Sequence, residues 1–234
     1  MSEDNKEQYL SWKRWDDSSF GKHSKWHQAF FKSEIRKTGV TKIENVLEVG
    51  FGNGEFISFS VQSGFKTVGV EISDELVKMA GQNGYESYAD LSSIPSGRLF
   101  DLIVIFDVLE HIDQHEIPSF LTSLKHFLSP GGAILARFPN GDSPFGRTHQ
   151  HGDVTHKTTI GSGKIRYFAE SIGLDVKYCG APSMPIVGSP MKYAAYNIFA
   201  SPLRWFFDKF FGVLYLQRGD ITFAPNLTVV LARS

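Results

Sequence analysis

Three histidines and an aspartate fall within eight residues in the stretch His149-Gln-His-Gly-Asp-Val-Thr-His156. Three kinds of chemistry suit such a cluster. Imidazole and carboxylate are common ligands for divalent ions. They also form acid–base pairs: imidazole titrates near about 6.5, which suits a base at neutral pH, and a carboxylate can fix its tautomer. In that reading His156, or His151, takes the proton and Asp153 orients it. The third reading is a polar loop tied down by Asp153 and Thr155, with its histidines at the surface. A second group, Leu47-Glu-Val-Gly-Phe-Gly-Asn-Gly54, sets Gly50, Gly52 and Gly54 two residues after Glu48. Glycines so spaced let a ligand approach the backbone before a helix begins. Glu55 breaks the G-x-G-x-x-G dinucleotide pattern, and Glu48 would repel a pyrophosphate while favouring a cationic ligand.

The elements that must position these residues follow from the hydrophobic pattern. "SKWHQAFFKSEIRKTG" (24–39) puts Trp26, Phe30 or Phe31, and Ile35 on one helical stripe stopped by Gly39. The chain then alternates. "NVLEVGF" reads as a strand and "GEFISFSVQSG" as a helix. "KTVGVEI" reads as a strand, and "SDELVKMAGQNG" as a helix capped by Ser73 with Asp74 and Glu75 in its first turn. A short strand near "YESYAD" precedes "FDLIVIFD" (100–107), whose apolar, β-branched run suits a sheet centre covered on both faces. A helix over 112–128 broken by "PGG", a fifth strand "AILARFPN", a polar loop over 139–160, a helix "SGKIRYFAESIG" and strands "LDVKYCG" and "NLTVVLAR" complete the chain. This alternation predicts an α/β, Rossmann-like, doubly wound and mostly parallel sheet.

In such sheets ligands bind at the carboxyl ends of the strands. Glu71 ends the second strand about twenty residues after the glycines, where a carboxylate can accept both hydroxyls of a ribose. Asp90, after the third strand, is placed for an adenine amino group with Leu91 beside it, and Asp107 ends the fourth strand. Taken together, over roughly 44–180 plus the last strand, these features resemble the class I S-adenosylmethionine-dependent methyltransferases. The resemblance implies a seven-stranded sheet with an antiparallel last strand and S-adenosylmethionine as cofactor. It implies that Glu48 lies near the methionine amino group, Glu71 on the ribose with Ile72 beside it, and Asp90 with Leu91 at the adenine; Gly50, Gly52, Gly54 and Asp107 complete the cofactor set.

"FDVLEHI" lacks the Asn/Asp-Pro-Pro-aromatic motif of the DNA N-methyltransferases. "DVLEH" resembles the E-x-x-E-H pattern of ubiquinone-biosynthesis O-methyltransferases, with Asp107, Glu110 and His111 as equivalents of residues that can hold a divalent ion; the first carboxylate here is Asp, not Glu. The competing reading is that Glu110 and His111 orient the following loop. "PNGDSPFG" and "GDVTH" are similar to a group of bacterial surface-polysaccharide methyltransferases, which points to Asp153, Thr155 and His156. The loop superficially resembles metallohydrolase clusters too, but in those the aspartate and histidine are adjacent. The expectation is therefore an O-methyltransferase acting on a sugar hydroxyl of a bacterial surface glycan. His156, Asp153 and His111 would be catalytic, with no metal. The alternatives are an O-methyltransferase of a quinone, phenol or lipid, metal-assisted or not, and a non-catalytic cofactor-binding module.

Bulk properties agree with this. The chain has 234 residues, 41% hydrophobic and 21% charged, with a formal net charge of -1, which argues against a broad nucleic-acid face. A single cysteine, Cys179, excludes an internal disulfide and fits a reducing compartment. No signal-peptide pattern or membrane span is read, so a cytoplasmic location is expected. The organisation expected is an N-terminal arm and helix (1–43, with Trp12, Trp15 and Phe20), a core (44–180), a helical insertion (181–225) and a last strand (226–234). In the insertion Leu203, Phe206, Phe207, Phe210, Phe211 and Leu214 form one stripe. That stripe is expected to pack on the core or on a second subunit; a lid over the acceptor site or a surface touching membrane-linked glycan intermediates are the alternatives. Self-association and peripheral membrane contact are left open.

Overall fold

The computed structural model describes residue 15, residues 18–219 and residues 221–234; Trp12 and the rest of the expected arm up to residue 17, Trp15 apart, lie outside the described residues. Helix α1 (Lys25–Lys37) opens on a capping box in which the Ser24 hydroxyl accepts from the His27 amide at 3.2 Å and His27 Nδ1 accepts from the Ser24 amide. Then follow β1 (Asn45–Val49), α2 (Glu55–Gln62), β2 (Lys66–Val70), α3 (Asp74–Gln82), β3 (Glu86–Tyr88) and β4 (Phe100–Phe106). The second half comprises α4 (Ile117–His126), β5 (Leu128–Pro139), α5 (Arg147–Gly152), α6 (Ser162–Ser171), β6 (Leu174–Gly180), α7 (Met191–Leu216) and β7 (Asn226–Arg233). As the sequence suggests, Ser73 caps α3 by accepting from the Leu76 amide.

The seven strands form one sheet in the order β3-β2-β1-β4-β5-β7-β6, parallel except that β7 runs antiparallel to both neighbours. The strand order therefore reverses between β1 and β4, whose carboxyl ends frame a crevice. Both faces are covered. On one, Leu47, Val49, Ile103, Ile105 and Ile134 pack with Leu121 and Ile165; on the other, Val46, Leu102, Val104 and Leu135 pack with Phe30, Phe31, Phe56 and Phe59. The alternation explains why β4 reads as an unbroken apolar run. Phe100 shares a face with Ile103 rather than with Leu102 because the β4–β5 register shifts between Phe100 and Leu102. The same shift lets β5 begin at Leu128 and run through Pro130-Gly131-Gly132, which the sequence suggests as a helix breaker alone.

Gly50 turns the chain out of β1 at φ +75°, its amide donating to the Val70 carbonyl at 2.7 Å. A Cβ there would lie 2.5 Å from Val108 Cγ2. Gly50→Ala is thus expected to destabilise the fold by about 1–2 kcal/mol from the left-handed backbone alone, and more from the collision. Thermal denaturation would show it; an unchanged midpoint would contradict this account of the turn.

The insertion departs from the stripe-on-core expectation. Along α7 only Asn197 and Gly212 are buried, with Ala194, Ala200, Ser201 and Asp208 half-buried. Small and polar side chains thus face the body, while Leu203, Phe206 and Phe210 of the aromatic stripe are 56%, 53% and 48% exposed. The stripe does not pack on the core of this chain.

Candidate active site

A cavity of about 1190 Å³ opens at the carboxyl ends of the central strands. At one end it is walled by Glu48, the Gly50–Gly52 turn, Glu71, Ile72 and Trp15; at the other by Asp107, Glu110, His111, Arg137 and the 148–157 segment. Gly50, Gly52 and Gly54 all adopt positive φ, at 75°, 50° and 75°. Glu48 is buried on β1, and its Oε2 has no hydrogen-bond partner. Burial pushes its carboxyl well above the usual carboxylate range, the nearby Glu71 charge adds to the effect, and the Ile57 amide opposes it. Glu71 accepts from the amides of Gly52 (3.0 Å) and Ser73 (3.2 Å), which pins the glycine turn to the end of β2. Burial raises its pKa as well, against those amides. Ile72 stands beside it with 75% of its surface exposed, an apolar side chain held open on the cavity wall.

Asp90 and Leu91 are not among the residues lining this cavity. The Asp90 carboxylate instead caps the 3-10 turn Leu91–Ser93, accepting from the Ser93 amide and from both the Ser92 and Ser93 hydroxyls. Asp107 does line it. It sits at φ +57°, a backbone conformation that costs a residue with a Cβ, and is held there by a two-pronged pair with Arg137 from β5. The Arg137 guanidinium also lies over the Phe106 ring, 5.0 Å from its centroid. Sequence reasoning did not single out Arg137. Its only signal is a lone charge inside the apolar strand "AILARFP".

The polar segment after β5 carries the 3-10 turn Pro144–Gly146 and the short helix α5, and it folds over the turn Leu109–His111. The amides of Lys157 and Thr158 both donate to the Glu110 carbonyl, at 2.8 and 3.0 Å, and the Thr158 hydroxyl donates to the Ile112 carbonyl. This docking brings residues more than forty positions apart into one cluster. The Thr155 hydroxyl donates to Asp153 Oδ1 (2.6 Å); a hydroxyl has one proton, so at its 2.9 Å contact with His111 Nδ1 it accepts. Asp153, Thr155 and His111 thus form a relay that fixes the His111 tautomer. His156 Nδ1 lies 3.0 Å from the Gln150 carbonyl, which can only accept, so Nδ1 carries the proton and Nε2 the lone pair. That Nε2 points between two carboxylates, 3.9 Å from Glu110 Oε1 and 4.0 Å from Asp153 Oδ2. The two imidazoles meet edge to face, 4.6 Å between centroids.

Glu110 is buried, and its Oε2 lacks a hydrogen-bond partner. Burial raises its pKa well above the usual range, with the Asp107 charge adding to the effect. Glu110, His111 and His156 each offer one ligand atom, all within 4.8 Å of one another, a set able to hold a divalent ion. The motif's other histidines separate from this cluster: His149 is at the cavity rim and His151 is exposed and not part of the lining.

Chemically, the cavity joins an acidic half suited to a cation and a half in which imidazoles and carboxylates can move a proton. The chain matches the methyltransferase-domain family over residues 11–172. It is 27% identical over 135 residues to an uncharacterized methyltransferase of Alkaliphilus oremlandii (strain OhILAs), a match spanning 52% of this chain and 60% of that protein. The fold is shared with an S-adenosylmethionine-dependent methyltransferase from Archaeoglobus fulgidus, with a TM-score of 0.61 and 18% identity over 87% of this chain and 91% of that one. It is shared as well with magnesium protoporphyrin IX methyltransferase from Synechocystis PCC 6803 with bound S-adenosylmethionine, with a TM-score of 0.52 and 16% identity over 89% and 80% of the two chains.

Proposed function

The chain belongs to the methyltransferase-domain family, and from that premise we propose that it is an S-adenosylmethionine-dependent O-methyltransferase whose acceptor is a sugar hydroxyl of a bacterial surface glycan, acting in the cytoplasm. The cofactor's chemistry fits the acidic half of the cavity. The unpartnered Glu48 oxygen, buried and close to the Glu71 carboxyl, favours a ligand bearing positive charge. Glu48 would hold the amino group, Glu71 the ribose, Ile72 the adenine face, and the turn containing Gly50 and Gly52 the backbone side of the ligand. When bound, S-adenosylmethionine supplies an electrophilic methyl group on sulfonium sulfur. What the chain's own residues must do is bring an acceptor oxygen into line and take its proton.

The single observation that carries the O-methyl reading is the His156 Nε2 lone pair set between Glu110 and Asp153 on the cavity wall. An acceptor O–H donating to that nitrogen loses its proton as oxygen attacks, and the resulting imidazolium is steadied by the two carboxylates. The Asp153–Thr155 pair holds His111 beside it in one tautomer. Methyl-labelled S-adenosylmethionine with fractionated cell extract as acceptor tests the proposal. Label is expected in water-soluble glycan or sugar nucleotide. Label only in organic-soluble material that yields no methylated sugar on acid hydrolysis would overturn the saccharide assignment in favour of a quinone, phenol or lipid acceptor.

A second reading is favoured by one observation: the buried, unpartnered Glu110 oxygen lies in the same cluster as the two imidazoles. Glu110, His111 and His156 would then hold a divalent ion that lowers the acceptor hydroxyl's pKa. The acid–base reading predicts that exhaustive chelation leaves turnover unchanged; activity abolished by chelator and restored by a divalent ion would establish the metal.

A further inference from the structure

The structure assigns a second task to α7: we propose that it docks the protein on an anionic lipid surface. This stands independently of the methyl-transfer reading. The helix is 26 residues long, about 39 Å at 1.5 Å per residue. Nine aromatic side chains along it, from Tyr193 to Tyr215, are between 38% and 77% exposed. At about 150–250 Å² per aromatic side chain this leaves on the order of 1,000 Å² of aromatic surface in water. A monomer's largest apolar patch is ordinarily about 300–600 Å².

Two features select the occupant. The first is the breadth of the apolar arc. At about 100° per residue, the exposed apolar positions sweep roughly two-thirds of the helix circumference, interrupted by the small, polar inner stripe. One partner helix of a second copy covers only a seam of about two residues in seven; a helix lying at a bilayer interface is covered across its whole outer side. The second is charge. Over the insertion, residues 181–225, the chain has four basic residues, Lys192, Arg204, Lys209 and Arg218, against two acids, Asp208 and Asp220, a balance of +2 in a chain of net charge -1. Asp208 turns inward, accepting from the Thr222 hydroxyl and the Phe223 amide, both at 2.9 Å. The outer side is thus aromatic and basic, the combination that complements anionic headgroups. Among the described residues no helix is long and apolar enough to cross a membrane, so α7 would lie on the surface rather than span it. Tyr193 packs on Trp26, which lines the cavity, so the docked helix sets the cavity rim beside the bilayer.

Co-sedimentation with phosphatidylcholine vesicles, with and without phosphatidylglycerol, tests this on the full chain. Binding is expected to the mixed vesicles and at least about tenfold weaker to phosphatidylcholine alone, with affinity falling as salt is raised. Phe206→Ser with Phe210→Ser should abolish binding. Lys192→Glu with Lys209→Glu should weaken it by about fivefold or more for each charge. S-adenosylhomocysteine affinity, measured on the same samples, reports on the cavity and should be equal in all of them. The proposal is overturned if the wild-type chain binds neither vesicle. It is overturned as well if light scattering shows a dimer that the serine substitutions dissociate, for then a second copy covers the helix.

Discussion

His156→Ala lowers turnover by about 10²–10⁴-fold while the affinity for S-adenosylmethionine stays within about twofold of wild type. The split follows from the proposed placement of the two ligands, with the acceptor against His156 and the cofactor against Glu48, Glu71 and the glycine turn, all of which line the one cavity. In the proposed mechanism the substitution removes the atom that accepts the hydroxyl proton, and with it the nitrogen set 3.9 Å from Glu110 and 4.0 Å from Asp153. It also removes the donor to the Gln150 carbonyl, which costs about 1–3 kcal/mol if that group stays buried. Thermal denaturation should therefore register a modest loss of stability alongside the kinetic defect. Thr155→Val, which breaks the relay to His111 without touching His156, should cost less. Turnover unchanged in His156→Ala would eliminate it as the base.

Glu48→Gln weakens the cofactor by about ten- to a hundredfold, the worth of a hydrogen bond to a charged group. Its effect on the unliganded protein runs the other way, and the sign follows from the pKa. Burial raises the folded carboxyl well above its ordinary value of 4.5, so between 4.5 and the raised value the native state holds a proton that the unfolded chain has released. Stability is then present at low pH and lost as pH rises through that window. Glu71 and Glu110, raised by the same burial, contribute in the same direction. Glu48→Gln removes one of the three contributions, so the variant should be more stable than wild type at neutral and alkaline pH and show a shallower decline. Wild-type cofactor affinity should rise across the same window, because only the ionised carboxylate pairs with an ammonium. A variant with wild-type affinity, or destabilised throughout, would contradict the placement of Glu48 against the ligand.

Much of this was legible in the chain because the signals are local. The strand periods, the glycine turn and the Ser73 cap are fixed by residues a few positions apart, and the mostly parallel sheet follows from them; the antiparallel last strand was implied by the family resemblance, and the sheet has it. Long-range pairing was not legible. That Thr155 meets His111, or that His156 faces Glu110, depends on the loop docking through two amides onto one carbonyl. A helical stripe states that a face exists, not which way it turns, so the aromatic side of α7 read as a face packed on the core or on a second subunit, whereas in this chain its small, polar side faces the body. Arg137 was hidden by its strand: a charge amid apolar residues gives no clue that Asp107 waits at the end of the next strand. Asp90 could be placed after β3, but that its carboxylate is spent on two serines comes only from the local turn geometry.

The most direct test of the account is calorimetric titration of the wild-type chain with S-adenosylhomocysteine, repeated with Glu48→Gln. The account predicts one site per chain, competed by S-adenosylmethionine and weakened about ten- to a hundredfold by the substitution. No heat of binding in a folded wild-type chain, or an affinity indifferent to Glu48, would contradict it.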